Sequence, residues 1–291
     1  MLYSMQIVLY NIAMDNLEYV YGGEYGKRGY LNEDFRIFII KDKRKEDFEF
    51  HYHDFDKIVF FISGDVKYII EGKEYRLQPY DLLLVPQGDI HKPIINPEKE
   101  YERIIIWINN SFFEQNKELR LCFQKVKEQK LNLFRSSVGE CARLLKSITE
   151  NRSDMFAAEL MEISLFIQLM IVINRIALDN DAAVQFYSDK AVDKIIEYIN
   201  DRLFDELSID GIAEAFYISR YHLMHKFKAA TGKTVYSYIQ TKRLQNAMKL
   251  LNEGFSAKEA CFESGYRDYS VFLKAFKKEF GATPAEIKNI N

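Results

Sequence analysis

Two sets of side chains in this sequence have the types and spacing to do chemistry. The first is a histidine set. "HYHDFDKIVFFISG" puts His51 and His53 two apart, and residues i and i+2 of a strand share one face. "PQGDIHKPIIN" adds His91 behind a Pro-Gly turn. Imidazoles brought together can ligate a metal, contact a small polar molecule or sit satisfied in a core. The second set is basic. Ala215 to Asn252 contains no acidic residue, yet carries Arg220, Lys226, Lys228, Lys233, Lys242, Arg243 and Lys249, with His222 and His225 among them. From Gly211 onward there are 13 Lys+Arg against 7 Asp+Glu, although the whole chain has a formal net charge of −3. A basic segment on an otherwise acidic chain points to a local polyanion-binding surface. A merely solvated helix face usually mixes both signs.

The elements that must position these groups follow from the period of the apolar residues. From about Phe35 to Ile108 the chain reads as short β-branched and aromatic runs, among them "FRIFII", "IVFFISG", "DLLLVPQG" and "IIIWI", broken by Gly, Pro and Asp. That is the pattern of a sandwich or barrel. Within it "IIEGKEYRL" is a hairpin, with Glu71-Gly72-Lys73-Glu74 around its turn. From Ser111 the period becomes helical. Three or four helices run to about Leu178, and six or seven short ones follow from Asp189. The polar stretch "DNDAAVQFYSDK" between them reads as a linker. The fold class expected is therefore α+β and multidomain.

The last third contains a repeat. "LMHKFKAATGKTV" (Leu223 to Val235) aligns with "FLKAFKKEFGATP" (Phe272 to Pro284) at a spacing of 49, with Phe227 on Phe276 and Gly232 on Gly281. Upstream of each lies a short helix with a small residue, Ala213 or Cys261, then a turn and a capping residue, Ser219 or Asp268. Two short helices with a tight turn, the second presenting polar groups, form a helix-turn-helix. The first copy presents Arg220, Tyr221, Met224 and His225. The second presents Tyr269, Ser270, Leu273 and Lys274. A helix of about 18 residues, about 27 Å long, separates them. It could set the two recognition helices roughly one DNA turn (~34 Å) apart on one face of a duplex.

Bulk properties narrow the remaining choices. Hydrophobic residues make up 48% and charged residues 29%, which is ordinary for a globular protein with a core. The three cysteines, Cys122, Cys141 and Cys261, have no paired spacing, so neither a disulfide framework nor a cysteine zinc site is expected. The opening "MLYSMQIVLYNIAMDN" has no basic n-region and does not read as a signal peptide. Leu160 to Leu178 approaches membrane-spanning length but carries Glu162, Gln168, Asn174 and Arg175, which are costly in hydrocarbon. It reads as a helix buried on two sides, and no membrane partner is expected.

Residues from about Lys190 to Ile290 resemble the DNA-binding domain of the AraC/XylS family of bacterial transcription regulators. The connector "YIQTKRLQNAMKLL" and the closing "GYRDYSVFLKAFKKEFGATPAEIK" carry the resemblance, with both helix-turn-helix units in order. The resemblance implies double-stranded promoter DNA as partner. Arg220, Tyr221, Met224, His225, Tyr269, Ser270, Leu273 and Lys274 would face the bases, and Lys228, Lys242 and Arg243 the backbone phosphates. His225 and Lys274 stand where family members often carry Arg, which weakens bidentate guanine reading. The strand-rich part resembles a cupin barrel. The implied architecture is a cupin-like effector-sensing barrel at 1–110, a helical dimerisation region at 111–178, a linker at 179–190 and a double helix-turn-helix domain at 191–291.

A cupin enzyme would hold a divalent metal with three histidines and a Glu a few residues after the second. Here that position is Lys57 or Ile58, and a lysine would set one cation beside another. Asp56 could substitute only with a change of register. No cofactor and no metal are therefore expected, with His51, His53 and His91 the remote alternative. As a regulatory module the barrel would instead bind a small molecule, a sugar or related carbon-source metabolite by family weight. Arg36, His51, His53, Lys57, His91 and Trp107 are the candidate lining. Leu165, Leu169 and Ile173 are expected to form an isologous homodimer interface. RNA polymerase would be a further partner, and the cytoplasm the location. Two other readings compete: a cupin-type metalloenzyme with a DNA-binding tail, and an architectural DNA-binding protein without an effector. The chain supplies no nucleophile–base pair, so no enzyme activity is expected.

Overall fold

The computed structural model describes residues 34–43, 48–135, 138–150, 156–179, 183–184 and 186–288. The N-terminal stretch read for a signal peptide lies outside them. The described chain forms two compact units that meet in sequence at Tyr187 and Ser188.

In the first unit the strands are β1 (Phe35–Asp42), β2 (Asp56–Ser63), β3 (Val66–Ile70), β4 (Lys73–Arg76), β5 (Leu82–Val85), β6 (His91–Ile95), β7 (Tyr101–Ile108) and β8 (Leu133–Phe134). They make a five-stranded sheet in the order β1-β7-β2-β5-β8 and a three-stranded sheet in the order β4-β3-β6. The expectation of a barrel is corrected here: two sheets pack face to face rather than closing into one hydrogen-bonded ring. What joins them is the apolar filling of Val59, Phe61, Leu83 and Val85 against Val66, Tyr68, Ile70 and Tyr75. The β3–β4 hairpin turns at Glu71 (φ 47°) and Gly72 (φ 81°), both left-handed as a two-residue hairpin turn of that type requires.

The opposite face of the large sheet, including Ile58, Phe60, Leu84 and Ile106, is covered by helices. These are α1 (Asn110–Gln115), a 3₁₀ turn (Lys117–Arg120), α2 (Leu121–Gln129), α3 (Val138–Glu150) and α4 (Ala158–Leu178). Covering both faces explains why the strands read as continuous apolar runs rather than alternating ones. Helix α4, 21 residues long, is apolar enough to cross a membrane, but it packs as a core helix. Phe166, Leu169, Met170 and Ile173 are buried in the sheet–helix core. Its polar Asn174 is fully used: Oδ1 accepts from the Cys122 amide, and Nδ2 donates to the Leu119 and Met170 carbonyls, each at 2.8 Å.

Burial also corrects the expected dimer contacts. Leu169 and Ile173 are enclosed by their own unit, and Leu165 packs half-buried on the same core. The apolar side chains that α4 leaves exposed are Leu160, Met161, Ile163, Ile171 and Leu178. The stretch read as a linker is partly docked. Ala183 bridges to Phe134, and Tyr187 to Glu74.

The second unit is helical: α5 (Lys190–Asp201), α6 (Ile209–Ala215), α7 (Arg220–Thr231), α8 (Val235–Asn252), α9 (Ala257–Glu263), α10 (Tyr269–Phe280) and α11 (Pro284–Lys288). Side-chain caps start these helices: Ser219 Oγ accepts from His222 N at 3.2 Å, and Asp268 Oδ1 from Val271 N at 2.8 Å. Gly232 (φ 71°) and Gly281 (φ 75°) end α7 and α10 in the left-handed conformation. Glycine enters that region without steric cost, which is why the repeat conserves its position between the two copies.

Candidate nucleic-acid interface and histidine site

Helix α7 buries Leu223, Phe227 and Thr231, and α10 buries Phe272, Phe276 and Phe280. Those residues fix the rotational phase of each helix. On α7 the phase leaves Arg220, Tyr221, His222, Met224, His225 and Lys228 exposed. On α10 it leaves Tyr269, Ser270, Val271, Lys274, Lys277 and Lys278 exposed. Leu273 behaves differently from its counterpart Met224: it is half-buried and packs against the core of its unit. His222 and Val271, on corresponding positions, share the outward faces but did not enter the sequence-based list. Lys277 and Lys278, within "KAFKKEF", stand on the outward face of α10 as well.

The turns before α7 and α10 share one geometry. Ile218 N donates to Ala213 O at 3.0 Å, and Tyr266 N to Cys261 O at 3.1 Å. The left-handed residue of this turn is Tyr217 (φ 54°) in the first copy and Gly265 (φ 79°) in the second. Glycine is required at 265 for a further reason. A Cβ there would lie 2.9 Å from both the Cα and the carbonyl oxygen of Phe204.

The remaining basic residues are less available than the sequence suggested. Arg243 donates from Nε to Leu203 O at 2.8 Å and from Nη2 to Asp205 O at 2.7 Å. It is a strut between α8 and the 203–205 segment, with Nε and Nη2 committed to carbonyls. Lys242 is half-buried, its ammonium 5.5 Å from the centre of the Tyr238 ring. Lys226 pairs with Asp189 at 2.8 Å, which holds that carboxyl below its usual range. Arg220 pairs across the unit's surface with Asp210 at 3.1 Å, both well exposed.

In the strand unit, register brings the ligand candidates onto the face between the sheets. Trp107 stands opposite Arg36 on one side and Lys57 on the other, so all three point the same way. Arg36 lies on the edge strand and is exposed, whereas Trp107 and Lys57 are buried. His51 and His91 pair through both backbone bonds, His51 N to His91 O at 3.1 Å and His91 N to His51 O at 2.8 Å. His53 sits stacked on Phe55, ring centroids 4.6 Å apart, with Trp107 behind it. One ligating nitrogen from each of the three histidines lies within 4.8 Å of the others.

Burial dominates the electrostatics of this cluster. It lowers the pKa of His51 to about 4, helped by the nearby Lys57. Burial pushes His53 and His91 well below the ordinary histidine range; His91, Lys57 and His51 add to it at His53, and His51 and Lys57 at His91. All three rings are neutral at pH 7. Burial, and secondarily Arg103, lowers Lys57 to about 7. The full positive charge that the sequence places beside the histidines is therefore substantially reduced. Asp56 alternates to the other face of β2, where its Oδ1 accepts from Gln87 N at 2.7 Å and Arg120 lies 3.1 Å from Oδ2. It is unavailable to the histidines. Arg103, buried on the inner face against Asp42 and the Tyr101 ring, is a cation that the sequence pattern did not single out.

A strand sandwich backed by helices, followed by a paired helix-turn-helix domain, defines a DNA-binding regulator with a ligand-binding module. Comparison with known proteins agrees. Residues 37–169 match the family model of the AraC-like ligand binding domain, and residues 212–290 match a helix-turn-helix domain. Together these models span most of the chain, which belongs to the AraC family of transcription regulators. The HTH-type transcriptional activator RhaR of Escherichia coli strain K12 is 24% identical over 281 residues, covering 91% of this chain and 96% of that protein. RhaR of Shigella flexneri serotype 5b matches to the same extent. Among solved structures, ToxT from Vibrio cholerae is 16% identical with a TM-score of 0.37, covering 88% of this chain and 98% of that one.

Proposed function

We propose that this regulator is a cytoplasmic transcription activator whose strand unit senses a small molecule and whose helical unit reads promoter DNA through α7 and α10. The carrying observation is the repeated helix-turn-helix with two outward polar faces, the first recognition helix lying in a segment free of acidic residues from 215 to 252. Tyr221, His222, Met224 and His225 of α7 read base edges. On α10, Tyr269, Ser270 and Lys274 contact bases, and Lys277 and Lys278, with Lys228 on α7, grip phosphates. The effector is an oxygen-rich metabolite, a sugar or a related acid, for which Lys57 supplies a polar contact and Trp107 one stacking face beside the histidine cluster. The regulator acts as a homodimer through the exposed apolar side of α4, about Leu160, Ile163 and Ile171, and it contacts RNA polymerase when bound upstream of a promoter. Effector binding shifts a pre-existing equilibrium between arrangements of the DNA-binding units.

Nuclease protection on the chain's own upstream DNA tests the reading. Each helical unit should protect two successive major grooves on one side of the duplex, and a metabolite panel should contain a compound that raises the melting temperature and alters the footprint. Protection of a single groove per chain, or none with sequence preference, would overturn it.

A further inference from the structure

We propose that His51, His53 and His91 form a binding site for a divalent first-row transition-metal ion, each residue supplying one imidazole nitrogen. This goes beyond ligand sensing and holds whatever the effector is.

The first argument is orientation. His51 Nδ1 lies 2.8 Å from Glu49 O, and His91 Nδ1 lies 2.9 Å from Asp89 O. A carbonyl can only accept, so each Nδ1 carries the proton and each Nε2 keeps its lone pair. A backbone carbonyl fixing the remote nitrogen is how metal-ligating histidines are commonly held. The third ring, His53, is fixed by its stack on Phe55.

The second argument is satisfaction. Nε2 of His51, Nε2 of His91 and both nitrogens of His53 are buried and find no hydrogen-bond partner among the described residues. Each such orphan is an uncompensated desolvation cost, and here they cluster at one point. A single water has two protons and cannot serve three lone pairs at once. A cation serves all three. The nitrogens need to close only from within 4.8 Å to the roughly 3.4 Å separation of a tetrahedral set with bonds near 2.1 Å. That is a movement of less than about 1 Å per ring.

The third argument is selectivity. The donors are all neutral imidazole, which suits Zn²⁺, Co²⁺, Ni²⁺ or Cu²⁺ and not Mg²⁺ or Ca²⁺, whose sites are built of oxygen. The backbone pairing of His51 with His91, and the bond from Gly88 N to His53 O at 3.0 Å, hold the loops that carry the ligands.

The test uses full-length, untagged protein stripped with chelator and titrated with Co²⁺. Visible d–d absorption should saturate at one ion per chain, be displaced by Zn²⁺, and be accompanied by a rise in melting temperature. His51→Gln and His53→Asn should each weaken Co²⁺ binding by at least about 100-fold, while His222→Gln, on the exposed face of α7, should leave it unchanged. Because His53 is in the core, retained far-ultraviolet circular dichroism is required of each variant, and half-buried His51 provides the variant least expected to disturb folding. Absence of saturable d–d absorption overturns the proposal. So does Co²⁺ binding that survives both substitutions, or that is lost with His222→Gln. DNA binding is read separately, so a failure of the metal site leaves the regulatory reading standing.

Discussion

The two helix-turn-helix units share a backbone and differ in what they spend it on. Both bury paired aromatic or aliphatic residues, Leu223 and Phe227 in one, Phe272 and Phe276 in the other. Both turn through a left-handed residue and start the second helix on a side-chain cap. The first unit shows solvent a mixed surface of Tyr221, His222, Met224 and His225. The second draws Leu273 partly inward and shows Lys274, Lys277 and Lys278. Hydrogen-bonding and apolar side chains at the start of a recognition helix suit base edges, whereas lysines nearer its C-terminal end, such as Lys277 and Lys278, suit phosphate. Under the proposed function, duplication has kept the scaffold while the second unit adds the phosphate grip of Lys277 and Lys278 to the base contacts of Tyr269, Ser270 and Lys274.

The turns offer the strongest way to break this comparison. Gly265→Ala adds a left-handed strain and a 2.9 Å contact with the Phe204 backbone. It should cost about 2–4 kcal/mol of stability, read as a lower melting temperature of the full chain. The matching residue Tyr217 is 97% exposed, so Tyr217→Gly should be stabilising by about 0.5 kcal/mol. Equal responses at the two turns would show that backbone strain, not the approach of the 203–205 segment, governs both.

Next come the outward faces. Tyr221→Ala with His225→Ala should lower specific operator binding by about 10-fold or more, with little change on unrelated DNA. Lys277→Ala with Lys278→Ala should weaken both equally and reduce the salt slope by about 1 per lysine. Gel-shift titrations at several salt concentrations separate the two outcomes, and a reversed pattern would exchange the base-contacting and phosphate-gripping roles of these pairs.

Smaller effects sharpen the inner half of the contrast. Leu273→Ala should cost about 1–2 kcal/mol in a denaturant melt because it removes packing. Met224→Ala should change stability little and act on DNA binding instead. The smallest effect is electrostatic. Lys226 tethers α7 to Asp189, and the equivalent position on α10 is Ala275. Because the Asp189 pKa is lowered on folding, the tether contributes above the ordinary carboxylate range near 4. That contribution is lost as pH falls through the folded value. Both groups are partly exposed, so solvent screening limits it to no more than about 1 kcal/mol. Melts at pH 7 and near pH 3, with Asp189→Asn as reference, should show the difference.

Much of the helical unit was legible because its signals are local. Caps at Ser219 and Asp268, the apolar i, i+4 pairs, the terminal glycines and the 49-residue repeat lie within a few turns of the groups they organise. Residue roles that depend on distant partners were not. Nothing in "TKRLQ" announces that Arg243 is held by the carbonyls of Leu203 and Asp205. The apolar run of α4 likewise conceals which side meets the sheet, because a helix apolar nearly all round has no periodic face to read. Hence Leu169 and Ile173 looked like partner contacts and are core. The barrel became two sheets for a related reason: strand existence is a local property, whereas pairing is a choice among distant strands.

The sequence by itself determined the elements, the duplication, the charge that favours DNA and the gathering of three histidines into the strand region. Those depend on periodicity and residue type, which act over a few neighbouring residues. Only the tertiary structure decided what the histidines experience. Register set Lys57 and Trp107 on the inner face and turned Asp56 away. Burial then desolvated three rings and the lysine, leaving neutral imidazole lone pairs facing one another. Desolvation is a property of the enclosure, and no single stretch of chain contains it.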